Sequence, residues 1–297
     1  MTNNLRIASI NIGTIRLRDK RQLLFNFFNR NKLDIIAVQE LAFMSCDILE
    51  REFNLIANIG PKARGTGFLI RKGLGFSNVT YEPDGRIVKV KVAGISMIYI
   101  YNIYAPSGRK KDAERRTFFH EILPTYTIYN REAIFIMGDF NSIEEVGDRR
   151  MKSRTIRSKI ECKALKDYVR SRGVKDIWKS LRGSEDGFTY IYRNGAARLD
   201  RFYSYPELIT QIASVSILPT AFTDHHCIAL EFNCGMTRMA NRREHCLWKM
   251  NISILKDECF QTNFYEFWTR INAHPLRSSD VTRWWEKVFK PGLKILT

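Results

Sequence analysis

Three stretches of this sequence are almost wholly apolar, rich in β-branched residues, and stop at a polar residue. They are Leu33–Gln39 (LDIIAVQ) before Glu40, Ile95–Tyr104 (ISMIYIYNIY) before Ala105-Pro106, and Ala133–Met137 (AIFIM) before Gly138-Asp139. Each is too short to cross a membrane, which takes about 20 apolar residues. A strand with one wet face would alternate apolar and polar side chains. Runs without alternation belong to strands covered on both faces. A chain built on them needs a packed layer on each side of its sheet.

The rest of the sequence supplies such layers. Leu5–Asn11, Asn54–Asn58, Thr66–Arg71 and Ile87–Val92 read as further strands, as do Phe188–Tyr192, Leu199–Ser204, Ile212–Ile217 and Cys227–Phe232. Leu23, Leu24, Phe27 and Phe28 at helical spacing predict a helix over Arg16–Arg30, and similar patterns predict helices over Asp112–Asn130 and Ile160–Arg172. The class is α/β, and residues 1–235 read as one domain. After Cys234-Gly235 a polar, basic linker (Met236–Arg243) leads into a tryptophan-rich helical tail with Trp248, Trp268, Trp284 and Trp285. Residues 236–297 are therefore expected to form a separate segment. Its aromatic residues (Phe260, Phe264, Phe267) are expected to pack on a neighbouring domain rather than fold back. No apolar run follows a basic cap at the amino end, so a secreted chain is not expected. The six scattered cysteines read as free thiols. A zinc site from His225, His226, Cys227, Cys234, His245 and Cys246 has no spacing of the usual kind to support it.

The polar residues at the strand ends carry the chemistry. Six short pieces stand there: Ser9-Ile10-Asn11, Val38-Gln39-Glu40, Asn102–Pro106, Gly138–Asn141, Arg198–Arg201 and Thr223–His225. Glu40 follows a buried strand directly, where a lone acid needs a partner such as a hard cation. Asp139 and Asn141 flank Phe140 and point to one side in extended geometry, able to hold a water against a phosphate oxygen. His225 supplies an imidazole that Asp200 can orient. Carboxylates, amides, one histidine and no nucleophilic serine or cysteine point to metal-assisted attack of water on a phosphodiester. Each piece alone has an ordinary structural use, Gly138-Asp139 as a turn and Asn141 as a helix cap among them. Six together are harder to assign that way.

In this order, S-I-N, Q-E, N-I-Y-A-P-S, G-D-F-N, R-L-D-R and T-D-H resemble the motifs of the endonuclease/exonuclease/phosphatase superfamily over about residues 5–232. A finer resemblance is to the endonuclease domain of insect-type non-LTR (LINE-like) retrotransposons. It is carried by GVKDIW at 173–178, FTY at 188–190, GAARLDRFY at 195–203, AFTDH at 221–225 and Asp148-Arg149. LWKMN at 247–251 and ILKDECF at 254–260 are similar to the segment that precedes the reverse transcriptase in such elements. The resemblance implies a four-layer sandwich of two mixed β-sheets flanked by helices (DNase I-like), with a helical C-terminal tail. It implies Glu40 and Asn11 as metal ligands, with Asp224 completing the metal site or assisting protonation, and Mg²⁺ as the ion with Mn²⁺ as the alternative. Asp139 would orient or deprotonate the water, and Asn141 and Tyr104 would hold the phosphate. His225 would stabilise the transition-state charge, paired with Asp200. Cys227 departs from the proline or apolar residue of some relatives, at a structural position. No polymerase motif occurs, so the sequence reads as a piece of a longer element protein or as a truncated element copy.

The net charge of +17 and pI near 9.7 point to a polyanion. Two basic runs are candidate grips on double-stranded DNA: Arg109, Lys110, Arg115 and Arg116 on one side, and Arg149, Arg150, Lys152 and Arg154 on the other. The expected activity is a Mg²⁺-dependent nick in target DNA that leaves a 3′-hydroxyl for target-primed reverse transcription. A downstream reverse transcriptase and element RNA are the implied partners, with no membrane. The compartment is nuclear or cytoplasmic, and a DNA target implies the nucleus. Two alternatives stand beside it: a phosphatase or phospholipase of the same fold, and an element remnant that binds nucleic acid without cutting.

Overall fold

The protein is described by a computed structural model over residues 4–13, 18–61, 65–92, 98–108, 111–127, 133–151, 162–233, 255, 257–290 and 292–293. The apolar runs form strands as their composition requires. The first sheet comprises β1 (Asn4–Asn11), β2 (Ile35–Gln39), β3 (Phe53–Asn58), β4 (Thr66–Arg71), β14 (Ile212–Leu218) and β15 (Cys227–Asn233), in the order β14-β15-β1-β2-β4-β3. The second comprises β5 (Phe76–Tyr81), β6 (Ile87–Val92), β7 (Ile98–Tyr104), β8 (Ala133–Asp139), β10 (Lys175–Asp176) and β13 (Asp200–Ser204), in the order β10-β13-β8-β7-β6-β5. Within each sheet one pair is parallel, β1 with β2 and β7 with β8, and the others are antiparallel. Both sheets are therefore mixed.

Alternation along the strands sorts the side chains into layers. Ile7, Ile35, Ala37 and Phe68 of the first sheet meet Val90, Ile100, Phe135, Met137 and Phe202 of the second in a central core. The intervening residues face outward. Ala8, Ile10, Ile36 and Val38 pack on Leu24 and Phe28 of the helix Arg18–Arg30. Tyr101, Ile103 and Ile136 pack on Phe118, Phe119, Leu165 and Tyr168, from the helical stretches 112–126 and Lys163–Arg172. The result is the expected four-layer sandwich. β7 and β8 approach so closely at Gly138 (φ +139°) that a Cβ there would lie 2.0 Å from the Ile103 carbonyl oxygen. Only glycine fits.

Several elements lie outside the sequence reading. β5 shows no clean alternation because it is a half-exposed edge strand. β9 (Arg149–Met151) and β12 (Gly195–Ala197) also lie outside that reading; they form a third, small sheet with β11 (Tyr190–Tyr192), which falls within the expected strand Phe188–Tyr192, and each strand has three residues. The six-residue helix Ile177–Arg182 is capped by Asp176, whose carboxylate accepts from the Lys179 N–H.

A buried charge cluster locks the loop after β8 to β13. Asp148 accepts from Arg198 at 2.8 and 3.0 Å and from Arg201 at 2.8 Å. Arg198 also donates to Asp176 at 2.5 Å, and Arg201 to the Ser142 carbonyl at 2.6 Å. Burial alone would raise the Asp148 pKa, but the Arg201 and Arg198 guanidiniums outweigh it and hold the carboxyl well below its ordinary range. A pKa depressed on folding stabilises the fold above the unfolded value, about 3.9, and that contribution disappears as pH falls further. Urea unfolding at pH 7, 5, 4 and 3 is expected to show a steep loss of stability below about pH 4. An Asp148→Asn chain should start lower and show a shallower decline.

The chain divides into two compact units, Met1–Thr237 and Arg238–Thr297. In the second, the helix Glu258–Asn272 is capped by Asp257 and carries Phe267 and Ile271 into a small core with Trp284. Phe264, Trp268 and Phe289 close around it. Most of the tail's aromatic residues thus pack on one another, where the sequence left them seeking a neighbouring domain; Tyr265 and Trp285 stay exposed.

Candidate active site

At one end of the sandwich the inward-facing positions turn from apolar to polar. Along β7 the series Ile98, Ile100 continues as Asn102, Tyr104; along β8, Phe135, Met137 continues as Asp139; along β1, Leu5, Ile7 continues as Ser9, Asn11. Register does the rest. Asp139 stands opposite Tyr104 on one side and Asp200 on the other, so three strands present one row. Asn11 and Glu40 arrive from the first sheet, where Asn11 stands opposite Gln39.

Asp139 is almost wholly buried and held at both oxygens. Asn11 donates its amide to Oδ2 at 3.0 Å, and the Asn141 N–H donates to Oδ1 at 2.8 Å. Burial and the neighbouring Asp200 push its pKa up to about 6, against the lowering pull of His225 and the two hydrogen bonds. Asn141 gives its own amide to the Ala105 carbonyl at 2.9 Å. Glu40 accepts from the Tyr104 hydroxyl at 2.9 Å. Burial, then the charges of Glu40 and Asp139, hold that hydroxyl protonated far above its ordinary range. Glu40 (φ +56°) and Asn141 (φ +46°) both occupy the left-handed region without being glycine. Such strain costs on the order of 1 kcal/mol each and collects at functional sites.

Across the cleft His225 Nδ1 meets Asp200 Oδ2 at 2.8 Å, both residues buried. Burial would lower the imidazole pKa, but Asp200, Asp139 and Asp224 outweigh it and push it up to about 10. The ring is an imidazolium at neutral pH with Nε2 left for the cleft. Thr223 tethers this loop, donating to the Asn11 carbonyl at 3.0 Å and accepting from the His225 N–H at 3.3 Å. Asn11, Glu40, Asp139, Asn141 and His225 line an open cleft of about 470 Å³ with Gly13, Ser107, Gly108, Tyr190, Leu199 and Asp224, while Tyr104 and Asp200 stand behind them.

The structure thus brings together Asp139, His225, Asp200, Asn141, Tyr104, Glu40 and Asn11, with Asp224 exposed at the rim. The basic candidates separate. Arg109, Lys110, Lys152 and Arg154 lie outside the described residues. Arg115 turns inward, donating to the Gly108 and Pro106 carbonyls and pairing with Asp112, so it braces the loop beside the cleft. Arg116 is exposed, Arg149 half-buried, and Arg150 pairs with Asp186 over the Phe188 ring. The zinc set fails where it is described: Asp200 occupies His225 Nδ1, and Cys227 is buried in an outer core layer. Sequence reasoning missed Tyr190, whose ring lies 4.9 Å from that of His225 and stacks on Tyr192 at 5.6 Å. Its signal was the period-two aromatic pair in F-T-Y-I-Y.

Buried acids, amides and an Asp–His pair at the end of a two-sheet sandwich define a hydrolase of phosphoesters. The chain belongs to the endonuclease/exonuclease/phosphatase family, whose model matches residues 8–225. A curated relative is the transposon TX1 uncharacterized 149 kDa protein of Xenopus laevis, 29% identical over 219 residues, 71% of this chain. The chain spans 16% of that relative. An AP endonuclease from Archaeoglobus fulgidus shares the fold with a TM-score of 0.64 at 20% identity, covering 77% of this chain and 99% of its own. The AP endonuclease LMAP from Leishmania major does so with a TM-score of 0.62 at 15% identity, covering 77% of this chain and 88% of its own. No helix among the described residues is long and apolar enough to cross a membrane.

Proposed function

We propose that the chain is the DNA-nicking endonuclease of a LINE-like mobile element, cutting one strand by metal-assisted hydrolysis and leaving a 3′-hydroxyl for reverse transcription. The observation that carries this reading is the meeting of Asp139, Asp200 and His225, one polar side-chain atom each within 4.8 Å, beside Glu40 in an open cleft. That trio is not read as the metal cage, because Asp200 is already bound to the imidazole. Glu40 and Asn11, with Asp224 at the rim, offer hard oxygen donors on the same cleft and fit Mg²⁺ or Mn²⁺. A bound ion there would offset the charge on a phosphate oxygen. Asp139, ionised at neutral pH, takes the proton of the attacking water. As the new P–O bond forms the P–O3′ bond breaks, and the leaving O3′ takes a proton from solvent in the open cleft. Asn141 orients the phosphate, and His225 meets the charge that grows on it, with Asp200 holding the ring. The transposon relative supports the element role, and a reverse transcriptase with element RNA is the partner that role would call for. Chromosomal DNA as target places the reaction in the nucleus.

Arg116 is exposed on the helix that follows the cleft-lining Ser107-Gly108, and Arg150 is exposed on a strand of the small sheet that also holds the cleft-lining Tyr190; we assign these two arginines to phosphate contacts. Changing both to alanine is expected to raise KM for duplex DNA about tenfold with kcat held, and to flatten the salt dependence of binding by roughly two phosphate contacts. Binding titrations from 50 to 300 mM salt check it. The reading itself is tested by substrate. Duplex DNA, inositol polyphosphates and sphingomyelin are offered to the same preparation, and nicked DNA is offered to a polymerase without end repair. Turnover of DNA with direct extension of the nick supports it. Turnover of the small phosphoesters alone, or a blocked 3′ end, overturns it.

A further inference from the structure

Ser9, Gln39 and Asn102 stand inside three of the sequence motifs, yet none of them lines the cleft. All three are fully buried and meet one another. Asn102, on β7 of the second sheet, donates both amide hydrogens across the sandwich, to the Val38 carbonyl of β2 at 2.9 Å and the Gly67 carbonyl of β4 at 2.7 Å. Carbonyls only accept, so the Asn102 amide is oriented with its oxygen toward Gln39. Gln39 Nε2 donates to that oxygen at 2.7 Å and to the Ser9 hydroxyl at 3.0 Å. Three strands of one sheet are thereby pinned to one strand of the other.

The position of this bridge gives it a purpose. Below it the sheets meet through apolar side chains, whose attraction has no direction and sets no register. Immediately above it, the cleft is assembled from both sheets: Glu40 follows Gln39, and Tyr104 lies two residues beyond Asn102. The Glu40–Tyr104 and Asn11–Asp139 contacts both cross the seam. The Gln39 carboxamide oxygen accepts from no described residue. An unmet buried acceptor costs stability. A polar residue kept at such a cost fits a role in geometry.

We propose that the Gln39–Asn102 amide pair is a positioning element of the active site, fixing the offset of the two sheets so that Glu40 meets Tyr104. Its effect on rate rests on the nuclease reading; its effect on the Glu40–Tyr104 contact does not. The test is a double-mutant cycle of Gln39→Met, which keeps the length and removes the donors, with Tyr104→Phe. In nicking assays Gln39→Met is expected to lower kcat about 10- to 100-fold with KM unchanged. Tyr104→Phe should then cost far less in the Gln39→Met background than in the wild type. A second cycle with the same variants is read by urea unfolding without DNA or metal, where the two losses should again be less than additive. Should Gln39→Met not fold, Ser9→Ala removes only the 3.0 Å bond and carries the same cycle with a smaller coupling of the same sign. Additive losses in both cycles, or a Gln39→Met chain with wild-type kcat, overturn the proposal. A wild-type chain that cuts no DNA removes the nuclease reading and leaves the unfolding cycle to decide.

Discussion

Replacing His225 with alanine is expected to slow DNA nicking by about 10³- to 10⁴-fold, or about 4–5.5 kcal/mol of transition-state stabilisation. The ring is held by Asp200 at 2.8 Å and carries a proton at neutral pH, so it presents a fixed positive charge where the phosphate gains negative charge. Water in the vacated space would have to reorganise during the reaction, which a preorganised donor avoids. Asp200→Asn keeps the shape and removes the charge that holds the proton. It should cost less, about 10²- to 10³-fold. Asp139→Asn removes the base and should match His225→Ala. The double variant should be little worse than either, because the groups act on one step. Initial rates on supercoiled plasmid, with urea unfolding of each variant, check this set. A His225→Ala rate within tenfold of wild type would assign the ring a structural role.

The other large effect is on stability. Arg201 is fully buried, with Asp148, Asp176 and the Ser142 carbonyl around it. Two arginines and two aspartates balance in the cluster. Arg201→Met leaves one carboxylate uncompensated in the interior, at a cost of about 3–5 kcal/mol. For a domain of this size that is a drop in Tm of roughly 6–20 °C. Replacing all four residues together with apolar ones should cost less than this single change, since no charge is then stranded. Calorimetry of the two variants decides. An Arg201→Met chain that melts with the wild type would show that water, not Arg201, balances Asp148.

These two expectations differ in how far the sequence led to them. The catalytic row was legible because chemistry and geometry share a signal: a buried strand announces itself by composition, and its polar last residue then stands out. Asp139, and Glu40 just past the end of β2, could be named that way, whereas Asp200 opens β13 and His225 precedes β15, and those two were named through their motifs. Their order along the chain gave the resemblance that grouped them. The charge cluster was not legible. Asp148, Asp176, Arg198 and Arg201 all fall in stretches that carry the resemblance, but they are spread over 53 residues by sequence separation and nothing in the sequence pairs them. Only the fold shows that they are one buried object. The Gln39–Asn102 bridge was hidden differently, because a glutamine at a strand end and an asparagine within a strand have no pairing signal until two sheets face each other. The basic runs erred in the opposite direction. Arg115 looked like a phosphate contact by charge alone, and the loop carbonyls of Pro106 and Gly108 claimed it. Short elements such as β9 and β12 escaped because three residues carry no period.

The most direct measurement incubates the purified chain with supercoiled plasmid and Mg²⁺, beside a sample in EDTA and the His225→Ala chain. Conversion to open circle in the first sample alone is the expected result. Relaxation that persists in EDTA, or that His225→Ala performs equally well, would contradict a metal-assisted cut at this cleft.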